Sequence, residues 1–533
     1  MTDPIVVVGS GASGVMFALA ALRKGRRVTM LDVGHIGREP VLPRETLTGL
    51  KHHLPDPALY FLGPQYESLV LPGHEGEYYA FPPAKEHVLR PHPGFQVRGD
   101  GFAALHSFAA GGLAEVWTGG CYPFDDRDLA RFPFGYEELG PYYGRVAAEI
   151  GITGAKDDMA AVFPYHDGLL EPLKLDEHSA ILLDAYQRKR RVLNEKFHCR
   201  MGRARLAVLS RDLGSRKACD YAGRCLWGCP NGAFYTPSIT LAECRRFAEF
   251  TYESGLYVDH FRMNGSGKIC SVVASARDGQ LREIPAGSLV LAAGTLGSAR
   301  IYLESIYRDS GKAPELHGLM DNRQILMPFV NLRMLGRQWS AETYQYHQVA
   351  MAVEMDTGQM IHGLITTLKT ALIHPLVQTL PFDLGTSVAA FRGIHGALGM
   401  ININLPDRRR EENFIALDTA SKPRRLIVHY RPENGETERL NQIIGFFRKI
   451  LLQLRCFAPA NTIHVRPMGA SVHYSGTMPM TLNGEPGTCT PQCASRDIAN
   501  LYFADGSTFP DLPAKNLTFT LMANATRVAQ EAF

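Results

Sequence analysis

The sequence lacks the features that mark membrane, nucleic-acid-binding and disulfide-rich secreted proteins. No segment of the 533 residues joins about eighteen apolar residues without a charge or a turn-former, which is the length that a membrane-spanning helix needs. The formal net charge is only +3, and no basic run with interleaved aromatic residues indicates a nucleic-acid partner. The ten cysteines are not spaced like a secreted disulfide framework. These absences exclude three broad classes and leave an ordinary globular protein.

Targeting signals and repeats are missing as well. The first apolar run lacks the basic region that opens a signal peptide, so we expect a cytoplasmic protein with no preceding targeting segment. No internal repeat or low-complexity segment is visible. A chain of 533 residues is too long for one compact core, and two or more domains are therefore expected.

The start of the chain alternates strand, helix and strand. The β-branched run at residues 5–8 predicts a parallel strand that is buried on both faces. An apolar helix is predicted over residues 12–23, and a second strand over residues 27–31. This order is typical of the first βαβ unit of a doubly wound α/β domain.

The turn after the first strand carries a dinucleotide-binding pattern. Gly9, Gly11 and Gly14 form G-x-G-x-x-G, in which the glycines allow a tight turn, the approach of a pyrophosphate and close helix packing. With Ser13 they form the predicted phosphate site at the helix N-terminus. Asp32 stands where an acid would bind a ribose hydroxyl. The pattern predicts a bound dinucleotide but does not distinguish NAD(P) from FAD.

Two further segments provide a family resemblance. Residues 109–124 read AAGGLAEVWTGGCYPF, and the segment that begins at Phe132 reads FPFGYEELGPYY and opens a predicted helix over residues 136–150. Together they resemble the glucose–methanol–choline oxidoreductases, which use FAD. In that family the glycine loop runs beside the flavin. The resemblance therefore implies that Gly111, Gly112 and Trp117 line the isoalloxazine ring.

The middle of the chain favours FAD over NAD(P). Strands are predicted at residues 256–261 and 269–276, and Val258 matches the family's valine on the adenine side. A third buried strand, SLVLAAG from residue 288, is followed by a helix. In FAD-dependent folds of this kind such a strand and its A-A-G turn, here at Ala293, return to the flavin.

The C-terminus resembles the family's active-site motifs. The segment NLYFADGSTFP resembles the closing signature, and its Asp505 and Gly506 match the residues whose backbone faces the flavin. Asn516 matches the first residue of N-P-x-x-T, although Leu517 replaces the proline. His473 heads H-x-x-G-T-x-x-M with intact spacing. The resemblance implies an active-site His/Asn pair.

This pair suits the oxidation of an alcohol to a carbonyl. A flavin takes hydride from the carbon while a histidine removes the hydroxyl proton, and an asparagine amide places the alcohol oxygen. We expect a sugar, a polyol or a small biosynthetic alcohol as substrate, and oxygen or a redox partner protein as the final electron acceptor. Two alternatives remain: a lyase or isomerase with a structural FAD, and a flavin-binding subunit of a larger electron-transfer complex.

A cysteine cluster leaves three interpretations open. Cys219, Cys225 and Cys229 lie within eleven residues on a glycine-containing loop. Their spacing resembles the flavin subunits of bacterial glucose, gluconate and fructose dehydrogenases, and that resemblance implies a three-iron cluster. The cysteines could equally be structural thiols, or form a Cys3His zinc site with His198.

The resemblance also implies the domain organisation. We expect a discontinuous FAD-binding domain of Rossmann-like α/β type, over residues 1–155, 196–325 and 462–533. A substrate-binding domain, over residues 156–195 and 326–461, would be built on an antiparallel sheet, as in the p-hydroxybenzoate-hydroxylase-like architecture. The apolar segment 364–391 could line a substrate pocket, contact a membrane surface or cover a partner interface.

Overall fold

The computed structural model of the chain describes residues 4–37, 42–69, 77, 79, 81–165, 167–338, 340–355, 358–368, 377 and 380–533. Much of the apolar segment 364–391 thus lies outside the described residues. The α-helices within them are α1 (Ala12–Arg23), α2 (Leu47–His53), α3 (Pro57–Leu62), α4 (Tyr136–Ile150), α5 (Glu177–Lys196), α6 (Pro237–Cys244), α7 (Gly294–Ser310), α8 (Leu384–Ile394), α9 (Glu436–Gln453) and α10 (Thr518–Ala532). None of these helices is long and apolar enough to cross a bilayer.

The strands of the described residues form five sheets. In chain order they are β1 (Ile5–Val8), β2 (Val28–Asp32), β3 (Val97–Asp100), β4 (Cys199–Arg203), β5 (Phe250–Ser254), β6 (Leu256–Met263), β7 (Ile269–Ala276), β8 (Leu281–Pro285), β9 (Ser288–Leu291), β10 (Leu316–His317), β11 (Arg323–Asn331), β12 (Val349–Glu354), β13 (Met360–Thr367), β14 (Leu398–Leu405), β15 (Asp407–Arg408), β16 (Phe414–Asp418), β17 (Arg425–His429), β18 (Cys456–Phe457), β19 (His464–Val465), β20 (Leu501–Phe503) and β21 (Asp511–Leu512).

A five-stranded parallel sheet with the order β20-β9-β1-β2-β5 confirms the predicted doubly wound α/β unit. Its central strand β1 is buried on both faces. Val7 packs with α1 and α10 on one face, and Val6 and Val8 pack on the other face with residues of β6, β7 and α7. A strand covered on both sides needs apolar residues at every position, which explains the continuous β-branched run.

A larger antiparallel sheet has the order β18-β11-β14-β13-β12-β4, and β19 also pairs with β11. Alternation of apolar and polar residues predicts strands at residues 346–355 and 398–405. The first stretch contains β12, and the second coincides with β14. The two faces of the sheet differ. Ile361 and Ile365 of β13 pack in a core with α5 and α9, whereas Leu364 packs against Tyr122 and Phe163. One face of the antiparallel sheet is thus covered by helices, and the other face points toward the half of the molecule that contains the parallel sheet.

The segment 156–195 is predicted from the sequence to be largely helical. The structure has a 3₁₀ turn at Asp158–Ala161 and the helix α5 there. Asp176 caps α5 by accepting a hydrogen bond from Ser179 N at 2.7 Å, so the helix begins there. Strands β4 and β19 belong to the antiparallel sheet, although residues 196–325 and 462–533 were expected in the FAD-binding domain. The domain boundaries stay a prediction.

The start of α7 faces the site described below, whereas its last turns carry a buried ion cluster. The Glu304 carboxylate is 1% exposed and meets Arg300 at 3.3 Å, Arg308 at 2.6 Å and Arg424. Burial alone would raise the pKa of Glu304, but the hydrogen bond from Arg424 and the charge of Arg300 hold it below its ordinary value. Because Arg424 directly precedes β17, the cluster fastens α7 to the small β10-β16-β17-β3 sheet.

Replacing Glu304 by Gln should therefore destabilise the fold strongly. The substitution removes the carboxylate that binds Arg424 and leaves Arg300 and Arg308 only their pairs with Asp259, at 3.3 and 2.9 Å. Breaking a buried ion pair in this way costs about 3 kcal/mol. Urea unfolding of the purified protein measures the loss. Glu283→Gln is the matched control, because Glu283 pairs with Arg262 at 2.8 Å on the surface, where an ion pair contributes about 0–1 kcal/mol. Equal losses in the two variants would contradict a structural role for the cluster.

Candidate active site

The predicted nucleotide-binding residues meet at one edge of the parallel sheet. Because β1, β2, β9 and β20 run parallel, their carboxyl ends lie at the same edge, where open α/β sheets bind ligands. The residues at these strand ends are Gly9, Asp32, Ala293 and Asp505. Sequence positions that span about 500 residues are thereby brought into one region.

In the glycine turn between β1 and α1, Gly9 and Gly14 are closely packed, whereas Gly11 borders open space. A Cβ atom on Gly9, whose φ is +99°, would lie 2.6 Å from the Ala292 oxygen, and one on Gly14 would lie 2.1 Å from the Gly9 oxygen. Gly11 differs, because a Cβ atom there would meet nothing within 4 Å. Gly9 and Gly14 are needed by the fold itself, and Gly11 borders open space at the N-terminus of α1. Ser13 is buried in the first turn of that helix.

Asp32 lies at the end of β2 and is largely buried. It accepts hydrogen bonds from Ser10 Oγ, from Gly34 N at 3.2 Å and from Tyr252 Oη at 3.3 Å. Burial raises the pKa of Asp32 to about 6, although these donors favour the ionised form. Ser10 also accepts a hydrogen bond from Gly111 N at 3.0 Å. The acid is therefore linked to the second glycine loop.

The loop at residues 109–120 packs directly against the glycine turn. A Cβ atom on Gly112 would lie 3.4 Å from Gly11 Cα, so the two glycine segments approach each other closely. Gly111 has a φ of +90°, and a Cβ atom there would collide with the side chain of Glu115. The Trp117 indole nitrogen donates to the Tyr235 oxygen at 2.8 Å. That hydrogen bond anchors the end of the loop in the protein interior.

The remaining predicted cofactor residues occupy the same half of the molecule. Val258 is buried on β6 in the core that contains Val8 and Leu31. Ala293 precedes α7 and donates its backbone N–H to Ser298 Oγ at 3.2 Å. The same hydroxyl donates to Asp505 at 2.5 Å.

Next to Asp505, a glycine is required by close backbone packing. A Cβ atom on Gly506 would lie 2.5 Å from the Tyr474 oxygen, and the Gly506 oxygen accepts from Gly476 N at 3.0 Å. The segment after β20 therefore lies directly against the segment that carries His473.

His473 and Asn516 lie side by side. Asn516 Nδ2 is 3.3 Å from His473 Nε2, and His473 Nδ1 is 2.9 Å from Asn322 Oδ1. The amide of Asn322 has a fixed orientation, because its Nδ2 donates to the Leu405 and Pro513 oxygens at 2.8 and 3.0 Å. Its oxygen must then accept from His473, so the imidazole proton is on Nδ1 and the lone pair is on Nε2.

The environment keeps the imidazole uncharged. Burial, followed by the charge of Arg466, lowers the pKa of His473 to about 4. A neutral ring with an unprotonated Nε2, which faces Asn516 Nδ2 at 3.3 Å, is a proton acceptor at neutral pH. Asn516 Oδ1 is buried and has no hydrogen-bond partner among the residues that the structure describes. The pair therefore has an unused acceptor beside a base.

The backbone around His473 is strained. Two β-branched residues, Val472 with a φ of +63° and Thr477 with a φ of +84°, lie on either side of it in left-handed conformations, which such residues rarely adopt. Buried Asp321 holds the segment, accepting from Gly469 N at 2.7 Å and from His473 N at 3.1 Å. Burial raises the pKa of Asp321 to about 7.

Three residues of this site carry no motif and were not predicted: Asn322, Asp321 and Lys515. The Lys515 side chain is fully buried, 2.5 Å from Asp128, and donates to the Val162 oxygen at 2.5 Å. It thereby anchors the residue before Asn516. Lys515 could have been found from the sequence, because it stands next to the motif residue Asn516. Asn322 and Asp321 could not, because they lie about 150 residues before His473.

The cysteine cluster is not supported as a metal site. Among the described residues, no three His, Cys, Asp or Glu side chains form a group that could hold a metal ion. Cys219, Cys225 and Cys229 instead pack against an apolar cluster with Phe234 and Tyr344, and burial raises the pKa of the Cys219 thiol to about 11. Although the three cysteines are close in sequence, their sulfur atoms do not form a group that could hold a metal ion. The iron–sulfur and zinc interpretations therefore have no support in the structure.

Solved structures show where this fold occurs. Pyridoxine 4-oxidase from Mesorbium loti aligns with a TM-score of 0.61 at 15% identity, and the match covers 100% of this chain and 99% of that one. A formate oxidase aligns with a TM-score of 0.62 at 11% identity, covering 99% and 98%. The Aspergillus oryzae RIB40 formate oxidase, in a variant made to study FAD modification, gives 0.62 at 12% identity, covering 99% and 98%. At these identities the likeness concerns the fold alone.

Sequence comparison adds a family match. Residues 409–525, which include His473 and Asn516, match the family model of the GMC oxidoreductase C-terminal region. No curated protein matches the chain. The match over residues 409–525 supports, for that part of the chain, the resemblance to the glucose–methanol–choline oxidoreductases, and the fold is shared with the solved structures over the full length.

Proposed function

We propose that the protein binds FAD along the carboxyl edge of the parallel sheet. Three features fit the cofactor: the open space at Gly11, the backbone amides at the N-terminus of α1, and the carboxylate of Asp32. Gly294 adds further room, since a Cβ atom there would meet nothing within 4 Å. By family resemblance, Gly111, Gly112, Trp117, Val258, Ala293, Asp505 and Gly506 would complete the site. Bound FAD supplies a two-electron acceptor for a hydride.

The proposed reaction is the oxidation of an alcohol to a carbonyl. The observation that carries it is the triad of Asn322, His473 and Asn516, which presents a neutral imidazole lone pair beside an amide. His473 Nε2 takes the hydroxyl proton, while Asn516 hydrogen-bonds the alcohol oxygen and orients its carbon. The C–H bond then breaks with its electron pair leaving as hydride, and a C=O bond forms. Proton and hydride together account for the two hydrogens that the alcohol loses.

Asn322 has a positioning role in this scheme. Its oxygen holds the proton on Nδ1, so Nε2 stays unprotonated and can accept the proton of the substrate. When His473 becomes protonated, the same oxygen accepts from the imidazolium. The reduced cofactor would be reoxidised by oxygen or by a redox partner. The substrate would be a sugar, a polyol or a small biosynthetic alcohol.

A side chain at Gly11 should block the cofactor without harming the fold. Gly11 has a φ of −63° and a ψ of 177°, which a valine adopts readily, and its Cβ would meet no protein atom within 4 Å. We expect purified Gly11→Val to fold and to carry at least tenfold less flavin, measured by visible absorbance. Gly445→Ala, in an equally open position on α9, is the control. Wild-type flavin content in Gly11→Val would contradict the proposed phosphate site.

Removing the base should abolish turnover while the flavin stays bound. For His473→Ala we expect a loss of about 10²- to 10⁴-fold in the rate of anaerobic flavin reduction by an alcohol, the usual contribution of a general base. His464→Ala is the control, since the His464 side chain is 57% exposed and pairs only with Glu77 at 2.8 Å among the described residues. Reduction by His473→Ala within fivefold of the wild-type rate would exclude His473 as the base.

Asn322→Asp should shift the pH dependence of the reaction. A carboxylate at Nδ1 stabilises the imidazolium and raises the pKa of His473 from about 4, by about 1–3 units. Because the base must be unprotonated, kcat/KM should fall at a higher pH than in the wild type as the solution is acidified. The profile is measured by anaerobic stopped-flow from about pH 4 to pH 9. Asn483→Asp adds the same charge at an exposed position, and an equal shift there would refute a local effect.

A further inference from the structure

A row of buried polar side chains crosses the antiparallel sheet. Gln324 of β11 is directly opposite Asn404 of β14, and Asn404 is directly opposite His362 of β13. Their exposures are 4%, 0% and 0%. On the other face of the sheet the neighbouring positions are apolar and packed against α5 and α9. Polar residues at the centre of a sheet need a reason, because burying them costs free energy unless they are hydrogen-bonded.

Hydrogen bonds among the described residues satisfy only the Gln324 end of this row. Gln324 Nε2 donates to Asn404 Oδ1 at 2.8 Å, and Gln324 Oε1 accepts from Arg466 at 2.8 Å. Asn404 Nδ2 and both ring nitrogens of His362 have no hydrogen-bond partner within the described part of the chain. The hydroxyl of Tyr122, whose ring is 4.5 Å from that of His362, has none there either. Each unmet group costs about 1–3 kcal/mol.

The row extends from the proposed reaction centre. Asn322, which binds His473, directly precedes β11 and lies two residues before Gln324, and its Nδ2 donates to the oxygen of Leu405, next to Asn404. The far end of the row, at the ring of His362, leads toward Asn516, the other partner of His473.

That far end is reached through an aromatic contact. The His362 ring is 5.6 Å from the Phe163 ring, and the same Phe163 ring lies 5.7 Å from Nζ of Lys515, the residue before Asn516. This series of contacts thus connects His362, through Phe163 and Lys515, to the residue before Asn516.

The chemistry of the row limits its ligand. Burial, then the charges of Lys515, His347 and His473, lowers the pKa of His362 well below its ordinary value, so the ring is neutral and offers one donor and one acceptor. Asn404 adds a donor. The cations nearby already have acidic partners, Arg466 with Glu77 at 2.8 Å and Lys515 with Asp128 at 2.5 Å. The row therefore suits an uncharged group that both donates and accepts.

We propose that Asn404 and His362 bind a second polar group of the substrate, and that the protein therefore prefers uncharged alcohols that carry a further hydroxyl or carbonyl group. This inference rests on the proposed alcohol oxidation, with the reacting hydroxyl at His473 Nε2. A site that hydrogen-bonds a substrate group rejects the analogue that lacks it, because the protein groups are then left unpaired.

The test compares matched pairs of alcohols on the flavin-loaded protein. The probes are diols, monosaccharides and hydroxybenzyl alcohols, each paired with its counterpart lacking the second polar group, and the readout is kcat/KM for anaerobic flavin reduction. We expect the wild type to prefer the polar member of a pair by at least about 100-fold. His362→Phe and Asn404→Leu should each reduce that preference at least tenfold, mainly through a higher KM for the polar member of the pair.

A matched control is available in the same sheet. Asn331 ends β11, is fully buried, also has an Nδ2 without a partner among the described residues, and accepts from Arg333 N at 3.1 Å. Asn331→Leu should leave the preference unchanged. His362→Phe loses no protein hydrogen bond, so its urea midpoint should not fall below that of the wild type. This variant keeps the test valid if Asn404→Leu fails to fold.

The outcomes separate the inference from the proposed function. If the wild type oxidises the apolar counterparts as efficiently as the polar members, alcohol oxidation stands and the polar-group site is refuted. The polar-group site is also refuted if both variants keep the wild-type preference. The row would then have a structural role or hold ordered water. If no alcohol of either kind reduces the flavin, the proposed oxidation falls, and this inference with it.

Discussion

The contact on which the site depends is the hydrogen bond between Asn322 and His473. It joins the two halves of the molecule, because Asn322 directly precedes β11 of the antiparallel sheet while His473 lies on the segment that packs against the end of β20. The direction of this bond follows from two backbone carbonyls that fix the Asn322 amide. Once that amide is fixed, the tautomer of His473 is fixed, and so is the atom that can accept a proton. The chemistry proposed here thus depends on how the sheets are placed relative to each other.

Holding the imidazole in this position has a conformational cost. Left-handed conformations at Val472 and Thr477 are unfavourable by about 1–3 kcal/mol each. They persist because the surrounding contacts are numerous: Asp321 binds the backbone before His473, and Gly506 accepts from Gly476 after it. A looser segment would relax this strain and move the ring. Strain that is maintained on both sides of one side chain is common at functional sites, and it supports the role proposed for His473.

The parts of the fold that the sequence predicted are those that depend on local order. The βαβ unit at the N-terminus, the helix at Tyr136–Ile150 and the strand at Leu398–Leu405 follow from periodicity within a few residues. His473 and Asn516 were found because their neighbours form a spaced motif. Asn322 and Asp321 were missed because their contacts with the His473 segment close a loop of about 150 residues and leave no local pattern. The cysteine cluster shows the converse. Three thiols close in sequence were compatible with a shared metal ligand and with structural thiols, and their packing against an apolar cluster favours structural thiols.

The two sheets contribute different kinds of groups to the site. The parallel sheet presents mainly backbone and glycine at its carboxyl edge, where a Cβ atom would often collide with another main chain. Such an edge suits a ligand that is common to a whole family, because backbone atoms do not vary with sequence. The antiparallel sheet presents side chains. Asn404 and His362 can be replaced by other residues without altering the pairing of β13 with β14. A protein that keeps its cofactor but changes its substrate would be expected to do so there. If Asn404 and His362 bind the substrate as proposed, the polar groups of this row that have no partner among the described residues lower the stability of the sheet but favour one kind of substrate over another.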